Sequence, residues 1–447
     1  MTDLPTILEI NDCAVRLTQA EQVLASPGFA LFEDNWVATG DEAQTRYRLR
    51  PLNGNNNFWQ QLNLDPLGNA SGLIQHSGDL VYHHLSQLLA DAGENGSDVR
   101  PLLIAYPGFY SDEQLSLLLG ICQSLNRPVA GLVNSALLFA ANQPPGNYLV
   151  IDQYLHHTLI SQVAISAQQV SIEASQLLSN TGWVSLSDAL ARAISDEFIR
   201  HTRFNPRHDA EHEQTLYNQL PQWLEQVSAG DCSVQVADKS VTLGFNVLAD
   251  AGRNVLQPIM DGVAEMQQRS AAQVLLCPSA AALPYWYQDL AKAQLEPQHL
   301  ATQAQRFAAR LIDTSEQEGV LLTEELALKD AASPQAEAAA ASSATPPSAK
   351  ASRTITAQPT HILTGAHAHA IAGENWLAAE EPALCATEPS ACFGKLSRTA
   401  QGKVIFTPTA SCLLNDQTIT EPTELQAQDV LANDQVRYQL IQVIANG

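Results

Sequence analysis

One short stretch of the sequence combines an acid, two histidines and a threonine at a place where phosphate binding is common. At Leu149 to Ile165 a buried strand ends on Asp152, and a second apolar strand follows almost at once. In nucleotide-binding proteins the tight turn between two such strands is usually made of glycines, whose N–H groups cradle phosphate. Here the turn consists of bulky residues: Gln153, Tyr154, Leu155, His156 and His157.

The two histidines of this turn have two possible roles. His156 and His157 could act as a base and a polarising group, because imidazole titrates near neutral pH. Side chains of this size in a turn between strands more often fill a pocket, and we favour that interpretation. The sequence shows no Ser/His/Asp set, nucleophile elbow or P-loop, so we assign no catalytic residue.

Two histidine patterns could in principle hold a metal ion. His208 and His212 fit the H-x-x-E-H pattern of some metalloproteases, but they follow Pro206 in a charged stretch that is typical of a surface helix. His367 and His369 lie on one face of a predicted strand without cysteine or acidic partners nearby, which is typical of a solvated strand. We therefore predict no metal site.

The charge of the chain excludes several partners. There are 47 acidic residues against 23 basic ones, a formal net charge of −24. Nucleic acid and anionic membrane surfaces would repel such a chain, and it has no stripe of basic and aromatic residues. Acidity of this kind favours solubility and a basic protein partner.

Cysteine usage and hydropathy indicate a cytoplasmic protein. The seven cysteines are scattered and contain no C-x-x-C pair, which is typical of a reducing compartment. The amino terminus, MTDLPTILEI, lacks the pattern of a signal peptide. No apolar run approaches the roughly 20 residues that span a bilayer, so we expect no membrane insertion.

Composition divides the chain into three parts. Ala331 to Pro359 is rich in Ala, Ser, Pro and Thr, with almost no large apolar residue, and is predicted to be a flexible linker. Residues 1–330 alternate buried strands with helices, and 360–447 show a β pattern. Hairpin-rich strand groups followed by helices occur twice in the first part, which predicts two related lobes.

Element order in the first part resembles a known superfamily. The stretch LLIAYPGFYSDEQLSLLLGICQSLNRPVAGLVNSALLFAA, followed by LVIDQ, resembles the nucleotide-binding domains of heat-shock chaperones, and VATGDEAQ is similar to a segment of actin. The segments GWVSLSDALARAISDEF and FNVLADAGRNVLQPIMDGV resemble helices of the second chaperone lobe. The resemblance covers about Leu4 to Leu311. It implies the actin-like ATPase fold, which is ribonuclease-H-like, with lobes at about 1–148 and 149–330 and a nucleotide cleft between them.

At the positions that match the family's nucleotide motifs, this chain has residues of other types. The first phosphate turn, D-L-G-T-T in the family, is Glu9-Ile10-Asn11-Asp12-Cys13, and Asp12 would repel phosphate. The second, D-L-G-G-G-T, runs here from Asp152 to Thr158 without a glycine. Ser135 stands for the catalytic glutamate, and Cys277-Pro278-Ser279 for the adenosine turn. Pro221 and Leu224 match the acid and lysine beside adenosine, and the catalytic lysine has no counterpart near Arg46 to Asn57.

The resemblance therefore implies a remnant of a nucleotide cleft rather than a working one. Its expected residues are Glu9, Asn11, Asp12, Asp152, His156, His157, Thr158 and Ser279. The expected function is a chaperone-like pseudo-ATPase that acts as a protein-binding scaffold or assembly factor without a cofactor. Two alternatives stay open: a divergent ATPase that binds ATP with Glu9, Asp12 and Asp152 on magnesium, and a filament-forming actin relative.

The part after the linker is predicted to be a small β-sandwich. Its order of hairpin, short strand and turn resembles a forkhead-associated domain, with an expected hairpin turn at Asn415-Asp416. Only Ser397 and Arg398 match the phosphothreonine-binding residues of that family. We therefore expect an interaction domain rather than a phosphopeptide reader.

Overall fold

Buried apolar runs in the first part of the chain form the strands of two large sheets. The computed structural model describes residues 5–20, 22–93, 100–228, 230–281, 291–312, 320–328, 353–354, 361–364, 367–371, 374–378, 384–385, 392–399, 403–409, 412–415, 417–425, 429–433 and 436–441. The strands up to residue 328 are β1 (Thr6–Glu9), β2 (Val15–Gln19), β3 (Gln22–Ser26), β4 (Ala30–Glu33), β5 (Trp36–Thr39), β6 (Gly54–Asn55), β7 (Leu102–Tyr106), β8 (Val129–Asn134), β9 (Gly146–Gln153), β10 (His157–Ile165), β11 (Gln169–Ser179), β12 (Cys232–Val236), β13 (Lys239–Leu243), β14 (Gln273–Leu276), β15 (Ala291–Gln294), β16 (Leu321–Thr323) and β17 (Glu325–Ala327).

The helices of this part begin where the sequence supplies caps and apolar spacing. Ser111 followed by Asp112 and Glu113 is a sequence pattern that predicts a helix N-cap, and Ser111 forms a reciprocal capping box with Gln114 at the start of the third helix. Apolar residues recur every four positions in the fifth helix, which predicts one buried face, and all four of them are buried: Leu186, Leu190, Ile194 and Phe198. The helices are α1 (Gly40–Gln44), α2 (Ser77–Asp91), α3 (Asp112–Ser124), α4 (Ser135–Ala140), α5 (Trp183–Thr202), α6 (Ala210–Ser228), α7 (Phe245–Arg269), α8 (Pro278–Ala281), α9 (His299–Arg306) and α10 (Ala308–Leu311).

The two large sheets follow the same plan. In the first sheet, β1, β2 and β3 form an antiparallel meander, and β7, β8 and β16 continue it beside β1 as parallel strands. In the second sheet, β9, β10 and β11 form the meander, and β14 and β15 continue it beside β9 in parallel. The segment β17 adds to the other side of β11 over three residues. Two smaller sheets, β5-β4-β6 and β12-β13, complete this part.

Helices pack in layers against the two large sheets through apolar side chains. The helices α2 and α3 share a core with one face of the first sheet. Side chains from the other face of that sheet, from α4, α9 and α10, and from the second sheet form one continuous core. The outer face of the second sheet packs against α5, α6 and α7. The turns after β1 and β9 therefore belong to two sheets that share a core.

Three details differ from the sequence-based expectations. Leu321–Thr323, which we expected in the second lobe, pairs in parallel with β8 of the first sheet. Arg353–Thr354, within the predicted linker, form a short strand, β18, beside it. The rest of the linker lies outside the described residues. The sequence from residue 272 to residue 292 predicts a strand, a turn and a helix, but Ala291 and Lys292 belong to the strand Ala291–Gln294, which extends the parallel edge of β14.

All described elements after residue 360 are strands. They form two sheets with the orders β20-β19-β29-β28-β25-β26 and β22-β21-β23-β24-β27 around one apolar core. Asn415 has a positive φ of 49° between β25 and β26, as expected for the predicted hairpin turn, and Asp416 lies outside the described residues. These strands are β19 (His361–Thr364), β20 (His367–Ala370), β21 (Glu374–Ala378), β22 (Leu384–Cys385), β23 (Cys392–Arg398), β24 (Val404–Pro408), β25 (Cys412–Leu414), β26 (Gln417–Ile419), β27 (Thr423–Leu425), β28 (Val430–Ala432) and β29 (Arg437–Ile441).

The described part of the chain is thus a mixed α/β structure with several sheets. None of its helices is long and apolar enough to cross a membrane.

Candidate functional site

The turns that follow β1 and β9 meet and are joined by hydrogen bonds. Asn11, just after β1, donates from Nδ2 to Asp152 Oδ1 at 2.9 Å and to the carbonyl oxygen of Gln153 at 3.1 Å. Its Oδ1 accepts the backbone N–H of Cys13 at 2.9 Å, which fixes the direction of the amide. A single side chain therefore ties the first turn to the end of the second hairpin.

Asp152 is the centre of this contact. Besides Asn11, its carboxylate accepts the hydroxyl of Tyr154 at 2.7 Å and that of Ser279 at 2.8 Å. The Ser279 hydroxyl also accepts the backbone N–H of Gln153 at 3.1 Å. Burial raises the pKa of Asp152, while the bonds from Tyr154, Ser279 and Asn11 lower it. Side-chain donors of the chain itself thus occupy both oxygens of this acid.

Asp12 binds the second hairpin directly. Its Oδ1 accepts the backbone N–H of Leu155 at 2.7 Å. Burial raises the pKa of Asp12 to about 7, and the bond from Leu155 opposes that shift. A backbone N–H of this kind of turn is the group that would face a phosphate in a nucleotide site. In this chain the N–H faces a carboxylate of the protein.

The turn between β9 and β10 directs its large side chains inward. Tyr154 and Leu155 are each about 1% exposed. Leu155 packs with Phe29, Leu31 and Ala43 in a small core of its own. The ring of Tyr154 stacks on His157 with centroids 5.0 Å apart. These side chains fill the space between the two turns.

His157 behaves as an aromatic filler rather than a base. Its ring is fully buried, with Phe109 meeting it edge-on at 4.5 Å. Neither ring nitrogen has a hydrogen-bond partner among the described residues. Burial, and then the neighbouring His156, lower the pKa of His157 to about 4, so the ring is neutral at pH 7.

The remaining residues of the hairpin are fixed from other elements. The Nε2 atom of His156 lies 3.1 Å from the carbonyl oxygen and 3.0 Å from Oδ1 of Asn56, and burial lowers the pKa of this histidine. The Thr158 hydroxyl donates to the carbonyl oxygen of Thr181 at 3.1 Å. The side chain of Gln153 donates to the same oxygen at 3.1 Å.

The start of α5 closes over the same turn. Backbone N–H groups of Trp183 and Val184 donate to the carbonyl oxygens of Tyr154 at 2.9 Å and Leu155 at 2.8 Å. A Cβ on Gly182 would lie 2.5 Å from the backbone nitrogens of His156 and His157, so only glycine fits there. The first amides of this helix are therefore used within the chain.

Glu9 is neutralised within its own hairpin. Its carboxylate pairs with the Arg16 guanidinium at 2.8 Å, and both side chains are almost fully buried. The pKa of Glu9 is raised to about 7, because burial and the charge of Asp152 raise it by more than Arg16 lowers it. The Arg16 guanidinium is thus paired with this acid.

A small cavity lies beside the site. It measures about 130 Å³ and is lined mainly by aromatic and amide side chains, with Arg48 as its only basic residue. The Arg48 guanidinium is held 2.5 Å from Asp188 and 3.9 Å from the centre of the Tyr217 ring. Its backbone N–H donates to Gln214 at 2.6 Å. These bonds tie the segment after α1 to α5 and α6.

The structure brings the eight predicted residues to one region, in different ways. Asn11 and Ser279 both donate to Asp152, and Asp12 reaches the hairpin through Leu155. His156 and Thr158 bond to flanking segments, and Glu9 turns to Arg16. Sequence reasoning missed the hydroxyl of Tyr154, the partner Arg16 and the carbonyl acceptor of Thr181. The position of Tyr154, two residues after Asp152, was a sequence signal for the bond from its hydroxyl to that acid.

The other candidate residues do not gather into a metal site. The described residues contain no group of three His, Cys, Asp or Glu side chains that could hold a metal ion. His208 ends a short 3₁₀ helix, and His212 lies in α6 with Nδ1 3.4 Å from Asp209. His367 and His369 lie in β20. In β23, the Ser397 hydroxyl is 3.5 Å from the carbonyl oxygen of Ile405, and Arg398 ends the same strand.

Comparison with known proteins identifies no family. No family model matches the chain, and no curated protein matches it significantly. Functional arguments therefore depend on the geometry above. That geometry satisfies the buried acids of the two turns with donors from the chain itself.

Proposed function

We propose that this chain is a chaperone-like pseudo-ATPase, a scaffold or assembly factor that binds protein and not nucleotide. In this proposal the two large sheets are the cores of the lobes of an actin-like ATPase fold. Their common plan of a three-strand meander continued by parallel strands supports it, as does the resemblance of the sequence to heat-shock chaperones. The all-β region after the linker would be an interaction domain of a cytoplasmic protein.

One observation carries the proposal: Asp12 accepts the N–H of Leu155 at 2.7 Å. A phosphate group that used this N–H would have to displace a buried carboxylate and approach two more, Glu9 and Asp152. Phosphate would be repelled by these acids to the extent that they are ionised, and Asp12 would lose its N–H donor in a poorly solvated place. The site is therefore built against an anionic ligand.

Steric filling supports the same conclusion. Triphosphate needs space where backbone N–H groups converge, and glycine normally provides it. In this chain Tyr154, Leu155 and His157 occupy that space with three bulky side chains. Opening it would expose them and break the bond from Tyr154 to Asp152.

The side chains of the two turns and the net charge favour protein binding over catalysis. The turns offer no activated nucleophile or base: His157 is neutral and enclosed, the acids are bonded, and burial raises the pKa of the Cys13 thiol well above its usual range. The formal net charge of −24 suits a basic protein partner.

Isothermal titration with ATP and MgCl₂ tests the proposal. We expect no binding heat at ATP concentrations up to about 1 mM, where a heat-shock chaperone ATPase domain titrated alongside gives a clear isotherm. Saturable one-to-one binding at micromolar ATP would overturn the proposal. Phosphate release in the same sample would favour the divergent ATPase that uses Glu9, Asp12 and Asp152 on magnesium.

A further inference from the structure

Among the described strands, one edge of the second sheet is unpaired over most of its outer strand. On the side away from β10, the described partner of β11 is β17, which pairs with it at Gln169–Ser171 over three residues. No described strand covers the same side of β11 from residue 172 to residue 179. Half of the backbone N–H and C=O groups of an edge strand point outward and are available to an added strand.

This edge already accepts a strand within the chain. The segment β17 joins it in antiparallel register, with Ser171 opposite Glu325. The chain reaches this edge from β16 of the other sheet, through Glu324. An extended segment in line with β17 would meet the same kind of backbone surface further along β11.

The open edge is accessible and partly apolar. Glu173, Ala174, Ser175 and Leu177 are exposed. Leu177 is 42% exposed, which is unusual for a leucine in a strand and offers an apolar contact to an added strand. The exposed positions therefore combine free backbone groups with one apolar anchor.

A groove of about 610 Å³ runs beside this edge and is acidic. Its lining includes Ile172 and Ser175 of β11 together with residues of β7, β8 and α3. Asp112, Glu324 and Glu325 also line it, and none of the described residues that line it is basic. Burial, and then the charges of Glu324 and Asp112, raise the pKa of Tyr106, another lining residue, well above its usual range. The groove thus concentrates negative charge next to an unpaired strand.

The same charges disfavour a second copy of this chain as the occupant. Glu173 bulges out of β11, because Gln162 pairs with Ala174 while Val163 pairs with Ile172. Two such edges side by side would bring acidic grooves and bulged glutamates together, and charged bulges on edges are a common protection against self-pairing.

We propose that the edge of β11 from residue 172 to residue 179, together with the acidic groove, binds an extended, basic segment of a partner protein as an added strand. Backbone hydrogen bonds would supply affinity, and basic side chains at alternate positions would reach Asp112, Glu324 and Glu325. The inference rests on the protein-binding half of the proposed function and gives that partner a chemical class.

Fluorescence anisotropy with a labelled octapeptide of alternating valine and lysine tests this inference. The full-length chain should bind it, more weakly at 300 mM than at 50 mM NaCl. The double variant Glu324→Lys/Glu325→Lys should raise the Kd about tenfold, since it reverses the charge of the groove. The matched control Asp196→Lys/Glu225→Lys, which makes the same charge change on exposed positions of α5 and α6, should leave the Kd within about twofold.

A second pair of peptides separates strand addition from simple attraction. A version with methylated backbone nitrogens keeps its charges but cannot donate to an edge, and it should bind at least about tenfold more weakly. Equal binding of the methylated peptide, equal binding by Glu324→Lys/Glu325→Lys, or no binding of the parent peptide at 1 mM would each overturn the inference. A dimer in light scattering that blocks the peptide would assign the edge to a second copy instead. The ATP titration is independent of these outcomes, so failure here leaves the proposal of a closed nucleotide site standing.

Discussion

At the scale of single residues, the site is defined by acids that are buried and satisfied from within. Asp152 has three side-chain donors, Asp12 has the N–H of Leu155, and Glu9 has Arg16. Carboxylates rarely tolerate burial without such partners. These polar contacts therefore hold the two turns closed against each other.

These buried acids predict an unusual dependence of stability on pH. Glu9 and Asp12 have pKa values of about 7 in the folded chain, against ordinary values of 4.5 and 3.8. Both values are raised, so the folded state binds protons more tightly than the unfolded state. The contribution of these two acids to the free energy of unfolding should be fully present below about pH 4 and be lost as pH rises through 7, by on the order of a few kcal/mol.

Urea unfolding between pH 5 and pH 8 checks this dependence. Because many surface acids also repel one another, the comparison that matters is between variants. Asp12→Asn should flatten the slope, whereas Asp196→Asn, at an exposed position of α5, should leave it unchanged. Parallel slopes in the native chain and in Asp12→Asn would show that Asp12 is not protonated on folding.

The sequence alone showed which residues lie in part of the site, but it did not show which hydrogen-bond or ion-pair partners those residues have. The missing glycines and the acid at Asp152 were visible in the order of residues from 149 to 165. The orientation of Tyr154 was not, because a tyrosine in a turn can point to solvent or to the core. The pairing of Glu9 with Arg16 depends on the register of β1 and β2, which places the two residues opposite each other.

At the scale of elements, the start of α5 rests on the second hairpin and holds its turn. Gly182 makes this approach possible, since a Cβ there would lie 2.5 Å from two backbone nitrogens of the hairpin. The contact links a helix terminus to a turn more than twenty residues earlier in the chain.

Substituting this glycine should destabilise the chain. Gly182→Ala is expected to lower the free energy of unfolding by about 2 kcal/mol or more, because the backbone of the hairpin or the helix has to shift. Gly120→Ala is the matched control: Gly120 lies within α3 with no atom within 4 Å of the added Cβ, so the change should stabilise by about 0.5–1 kcal/mol. Equal effects of the two substitutions in denaturant melts would contradict the packing of α5 on the hairpin.

Local patterns predicted most elements, and non-local pairing accounts for the differences. The cap at Ser111 and the spacing of Leu186, Leu190 and Phe198 are encoded within a few residues. The pairing of Leu321–Thr323 with β8 joins segments almost two hundred residues apart. A short apolar run does not by itself indicate which of two sheets it completes.

At the scale of the whole molecule, two sheets of the same plan share a core, and the turns of their first hairpins meet beside it. Sequence predicted two related strand groups in this part. It could not predict that the space between their turns is filled, since that depends on which way Tyr154 and Leu155 point. We infer the proposed scaffold function from the filled space between the turns. In that proposal, the open edge of β11 is the surface that binds a partner protein.

A crystal structure of the chain grown with Mg²⁺ and a non-hydrolysable ATP analogue tests the central claim most directly. The account predicts that the Leu155 N–H stays bonded to Asp12 Oδ1 near 2.7 Å, with Tyr154 buried against Asp152 and no analogue between the two turns. An analogue whose phosphate accepts the Leu155 N–H, with Tyr154 turned out of the site, would contradict it.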